Sequence, residues 1–100
     1  MKIKLLQKLL EKIKWRLVID EQHRWSYIHT HKNKRINWHI FGIEEPRLEM
    51  DNDSSINEPM VIFYLDQCNI EMIDNNCVSV TAKNSNKSVF ILFQNHDLVK

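Results

Sequence analysis

Apolar residues in the first fourteen positions recur with a helical period. Ile3, Leu5, Leu6, Leu9, Leu10 and Ile13 share one broad face of a helical wheel, and Lys4, Lys8, Glu11 and Lys12 share the other,. The spacing predicts an amphipathic helix over 2–14. Trp15 would fall on the charged face if that helix continued. From there strict alternation takes over, with Trp15, Leu17 and Ile19 set against Arg16, Val18 and Asp20. A strand is therefore expected to begin at this point. A helix running on to Ile19 is the alternative, because Leu17 also fits the apolar face.

Residues 24–31 and 35–43 read as a hairpin around Lys32, Asn33 and Lys34. A three-residue loop sets His31 opposite Arg35. Ile28, Ile36, Trp38 and Ile40 then lie on one face, the expected core. Trp25, Tyr27, His29, His31, Arg35, Asn37, His39 and Phe41 lie on the other. Side chains alternate with a period of two, so a slip of one residue would mix these sets.

Residues 44–59 form an acidic connection in which Arg47 is the one base. An edge strand over 47–50 and an exposed loop over 51–57 are expected there,. Residues 60–65 are a short buried strand. Residues 69–74 and 77–83 form a second hairpin with Asn75 and Asn76 at its turn, and 88–94 is the last strand. Residues 95–100 begin a helix with Asn95 as its cap. The expected fold is a single α+β domain over 1–100, an N-terminal amphipathic helix packed on a twisted antiparallel sheet or half-open barrel of about seven short strands. The second hairpin, NIEMID and CVSVTAK, followed by SVFILFQ, resembles the later strands of a pleckstrin-homology domain. The closing helix of that family has a counterpart only if 95–100 or 2–14 supply it, and its lipid binding is not carried over.

Composition narrows the chemistry. Gly42 is the only glycine. Phosphate cradles, dinucleotide fingerprints and nucleophile elbows require glycine for positive φ and close backbone approach, so none can be written here. Turns must use other residues that tolerate the left-handed region, and Asn33, Asn52, Asn75, Asn76, Asn84 and Asn86 stand where turns are wanted. Cys68 and Cys77 are the only cysteines and fall too far apart along the second hairpin to pair, so two separate thiols are expected,. Lysines interrupt the first apolar stretch, which therefore reads as neither a secretory signal nor a membrane span, and a cytoplasmic location is expected.

Charge is divided along the chain. Residues 1–40 carry ten Lys/Arg against three Asp/Glu, and residues 41–100 carry four against ten. A one-signed surface attracts the opposite charge. Two surfaces follow as candidates: the hairpin face of Trp25, Tyr27, His29, His31, Arg35, His39 and Phe41, and an acidic surface of Asp51, Asp53 and Glu58. Asp51, Asp53 and Ser55 imitate the start of a calcium loop, but Ile56 and Ile62 occupy the positions of its glycine and its bidentate glutamate,. His29, His31 and His39 project to one face and could share a borderline metal, yet no carboxylate or cysteine is placed beside them, and Ser26 or Cys68 could be paired with a histidine, yet nothing in their spacing supports it. No cofactor motif is present. The expected function is a small non-enzymatic protein-binding module, such as an inhibitor, immunity or accessory protein, acting through complementary charge. The first alternative is nucleic-acid binding by the basic-aromatic hairpin. The second is a metal-dependent enzyme. Membrane binding through the basic helix ranks lower, and self-association is left open.

Overall fold

The computed structural model describes residues 2–31, 34–52 and 59–92, with the side chains of His31 and Lys34 excepted. Helix α1 spans Lys2–Lys12. Lys14 takes φ 74°, and the chain closes on itself in a Schellman turn: Trp15 N–H donates to Leu10 O at 3.1 Å and Lys14 N–H to Glu11 O at 3.0 Å,. Trp15 and Leu10, the two residues this turn joins, both enter the core. A strand follows at once, so the helix does not run on to Ile19. Leu6, Leu10 and Ile13 are fully buried. Each contributes about 1.5–3 kcal/mol on burial.

Eight strands follow: β1 Arg16–Asp20, β2 Arg24–His31, β3 Lys34–Phe41, β4 Arg47–Asn52, β5 Val61–Tyr64, β6 Cys68–Asp74, β7 Cys77–Ala82 and β8 Ser88–Leu92. They make two antiparallel sheets, β1-β2-β3-β4-β5 and β6-β7-β8, with α1 packed on them and no closed barrel among the described residues. A 3-10 turn at Leu65–Gln67 joins the sheets. One continuous core is shared by α1, the inner face of the five-stranded sheet and the second sheet, with Tyr27, Trp38, Ile40, Leu48, Phe63, Val78, Val80 and Ile91 at its centre. The α+β class and the helix-on-sheet packing are as expected. The single sheet is instead divided in two.

The register of the first hairpin differs from the expectation. His31 pairs with Lys34, Tyr27 with Trp38 and Ser26 with His39. The loop thus holds two residues rather than three, and every partner shifts by one. Because side chains alternate, this shift turns β2 over relative to β3. Trp25, Tyr27 and His29 join Ile36, Trp38 and Ile40 on the inner face, whereas Ile28 goes outward with Asn37 and His39. Burial explains the choice. The even positions of β2, Arg24, Ser26, Ile28 and Thr30, offer one apolar residue, whereas Trp25 and Tyr27 offer two large rings,.

Further corrections follow from pairing. β4 is six residues long and lies between β3 and β5, not at an edge. Asp51 therefore sits in a strand, buried, rather than in an exposed loop. A bulge leaves Val18 without a partner between Leu17–Tyr27 and Ile19–Ser26, which sends Ile19 to the outer face instead of beside Leu17,. Positive φ is adopted by Lys14 and Glu44 among the described residues, and by none of their asparagines. Asn52 is in β4. The second hairpin is as read: Asp74 faces Cys77 across the turn, and the Asp74 carboxylate accepts from Asn76 N–H at 2.8 Å. Cys68 and Cys77 are separate, buried thiols. Burial pushes both thiols above their ordinary pKa. Gly42 sits close to its neighbours: a Cβ there would stand 3.2 Å from the Trp25 ring and 3.3 Å from the end of the Ile3 side chain, so either would have to give by a few tenths of an ångström. No described helix is long and apolar enough to cross a membrane. Asn33, residues 53–58 with the predicted Asp53 and Glu58, and the expected 95–100 helix lie outside the described residues.

Candidate functional site

The outer face of the five-stranded sheet carries most of its polar and charged side chains. β1 sends Arg16 and Ile19 to it, and β2 sends Arg24, Ser26 and Ile28. β3 supplies Arg35, Asn37, His39 and Phe41, and β4 supplies Arg47, Glu49 and Asp51. A depression of about 410 Å³ opens over the first four strands, between Arg16, Arg24 and Arg35, with Ser26, His39 and Asp51 along its floor.

A polar chain runs across that floor. Ser26 Oγ lies 2.7 Å from His39 Nδ1, His39 Nε2 lies 2.8 Å from Asp51 Oδ2, and Asn37 Nδ2 donates to Asp51 Oδ1 at 2.6 Å. An ionised carboxylate can only accept, so Nε2 donates to Asp51, and in the neutral imidazole Nδ1 is then left to accept from the Ser26 hydroxyl. Each carboxylate oxygen has a donor. Cross-strand placement produces the chain: Ser26 is opposite His39, Asn37 is opposite Asp51, and His39 is diagonal to Asp51,.

Serine, imidazole and carboxylate in this order have the polarity of a nucleophile, its base and an orienting acid. Two features oppose acyl transfer. Ser26 is only 1% exposed. It also lies in β2, between β1 and β3, where main-chain N–H groups are committed to the ladders rather than free to hold an oxyanion,. The chain therefore locks three strands together and sets the floor of the depression.

Toward β5 the face is organised by stacking. The Arg47 guanidinium lies 4.4 Å from the Phe41 ring centroid and that of Arg24 lies 5.7 Å away,. Arg47 Nε also donates to Glu49 Oε2 at 2.5 Å.

The predicted hairpin set is thus split. Arg35, His39 and Phe41 share the outer face. Trp25, Tyr27 and His29 are on the inner face, where Tyr27 OH donates to Glu11 Oε2 at 3.2 Å and the His29 ring lies 5.2 Å from that of Trp15. Burial, together with the nearby Glu11 carboxylate, raises the Tyr27 pKa well above that of an ordinary phenol. The side chain of His31 is outside the described residues. His29 and His39 face opposite ways, and among the described residues no three His, Cys, Asp or Glu side chains gather as metal ligands. Of the acidic set, Asp51 is 9% exposed and spoken for by Asn37 and His39. Asp53 and Glu58 lie outside the described residues. Arg24 belongs to the basic-aromatic hairpin legible in the sequence, whereas Arg16 and Arg47, which stand 31 positions apart along the chain, join its face only through strand pairing. The alternation of Asn37 and His39 with Glu49 and Asp51 was the available signal for the polar floor.

Compared with known proteins, the chain matches no family model, no curated protein and no solved structure. No function is carried over from the pleckstrin-homology resemblance of its last strands.

Proposed function

We propose that the protein is a non-enzymatic binding module that grips an acidic surface of another protein with the outer face of its five-stranded sheet. One observation carries the reading: Arg16, Arg24, Arg35 and Arg47 come from four adjacent strands to one face, where Glu49 and Asp51 are the only described carboxylates and both are engaged by partners on that face. Arginines set around an aromatic ring and an ordered polar floor are the composition of a protein interface centre. Charge complementarity then supplies orientation and on-rate. An inhibitor, immunity or accessory role fits this chemistry.

Nucleic-acid binding is less well supported. A base-stacking platform needs exposed rings, but Trp25 and Tyr27 face the core. Phe41 is the one outer-face aromatic of the hairpin, and two guanidinium groups already lie against it.

The test uses the whole chain as bait in an extract of its native host. Wild type should retain an acidic protein that elutes with salt. The double variant Arg16→Glu/Arg35→Glu should lose it without a change in melting temperature, and Lys4→Glu/Lys8→Glu, on the exposed face of α1, should keep it. Equal capture by the arginine variant overturns the reading. Binding of single-stranded RNA at about 50 mM salt, weakening steeply as salt rises, would transfer the face to nucleic acid.

A further inference from the structure

We infer that the depression between Arg16, Arg24 and Arg35 is a carboxylate subsite, the place where the acidic partner inserts a glutamate side chain; the inference rests on the protein-binding reading above. Three arginines from three neighbouring strands line one hollow of about 410 Å³. That is large enough for a side chain and the peptide that carries it. A guanidinium offers a planar fork of donors that matches a carboxylate. Arg24 adds a mark of an incomplete site, since its Nε is buried and has no hydrogen-bond acceptor among the described residues,.

The walls select among anions. Val18, Ile19 and Ile28 border the same hollow and give apolar contact to a methylene stem. Inorganic phosphate has no apolar atoms to set against them. A carboxylate on a short apolar stem meets both the arginines and these walls, and an exposed glutamate of the partner provides it.

The experiment follows the arginine Nε–Hε resonances by NMR during titration at constant ionic strength. The probes are an acetylated tetraglutamate amide, the corresponding tetraglutamine and inorganic phosphate. Tetraglutamate should move the Arg16, Arg24 and Arg35 signals saturably and leave Arg47 in place, and tetraglutamine should move none. Arg24→Gln and Arg35→Gln, each checked for an intact amide spectrum, should weaken tetraglutamate binding about tenfold, the loss of one charge-assisted hydrogen bond. Absence of saturation, or an equal response from Arg47, overturns the assignment. Phosphate saturating the same three signals at a lower concentration also overturns it, in favour of a phosphate site. If tetraglutamate fails while capture of the partner still depends on the arginines, the subsite falls and the binding module stands. If tetraglutamate binds as described but no partner is captured, the subsite stands and the binding module falls.

Discussion

On the inner face of β2 and β3, Trp25, Tyr27, Trp38 and Ile40 meet α1 and the second sheet. On the outer face, Ser26, Asn37 and His39 meet Asp51 beneath a rim of arginines. Neighbouring residues of the same strands supply both. The inner face excludes water by packing large apolar surfaces, a non-directional effect that scales with area. The outer face buries polar atoms, which is tolerable only because each donor on its floor finds an acceptor. Packing holds the sheet to the rest of the molecule. The hydrogen-bonded floor holds its strands to one another and leaves charged side chains at the rim. Under the binding role proposed above, stability and recognition would fall to opposite sides of one sheet.

The largest effect should separate the two faces by size. Trp38→Ala should cost about 3–5 kcal/mol in urea denaturation, whereas Ile28→Ala, directed outward and half-buried, should cost about 1 kcal/mol. Equal losses would mean that the outer face is a second core.

Asp51→Ala probes the floor. It strips Asn37 and His39 of a shared acceptor and should cost about 2 kcal/mol. A double-mutant cycle with Asn37→Ala should give a coupling above about 0.5 kcal/mol. Independent effects would show that the floor is not a connected chain.

A third difference is confined to alkaline pH. The folded protein keeps the Tyr27 proton beyond the pH, about 10, at which an unfolded chain releases it,. The native state then binds more protons, so this stabilisation is complete below about pH 10 and is lost as pH rises above it. Stability measured between about pH 9 and 11 should fall more steeply in wild type than in Tyr27→Phe. Parallel curves would place the phenol outside the inner face.

The smallest effect lies where the helix hands over to the sheet. Lys14 is held at φ 74°, a conformation that strains a side chain and suits glycine. Lys14→Gly should raise stability by about 0.5–1 kcal/mol without altering either face. A loss instead would mean that the lysine side chain itself supports the junction.

The fold was more legible in the sequence than the site. The boundary after Lys14 followed from one position, Trp15, at which the helical period fails. The Asp74–Cys77 turn followed from Asn75 and Asn76 between alternating segments. The site depended on register. A three-residue loop joined the bases to Trp25 and Tyr27, although the even positions of β2 make a poor core face. Ser26, opposite His39 by pairing alone, then looked like an isolated serine.

What the sequence determined by itself was local. The period of apolar positions sets α1 and the strands, because each depends on residues within a few positions of one another. The scarcity of glycine excludes the phosphate-loop chemistries for an equally local reason, since positive φ is a property of single residues. Tertiary structure alone decided the loop of two at the first hairpin, the bulge at Val18 and the interior place of β4. These choices are sums over contacts between strands and with α1. A slip of one residue hardly changes any local preference, yet it exchanges the two faces of a strand. That exchange sent Trp25 and Tyr27 into the core and brought Ser26, His39, Asp51 and the arginines to one surface.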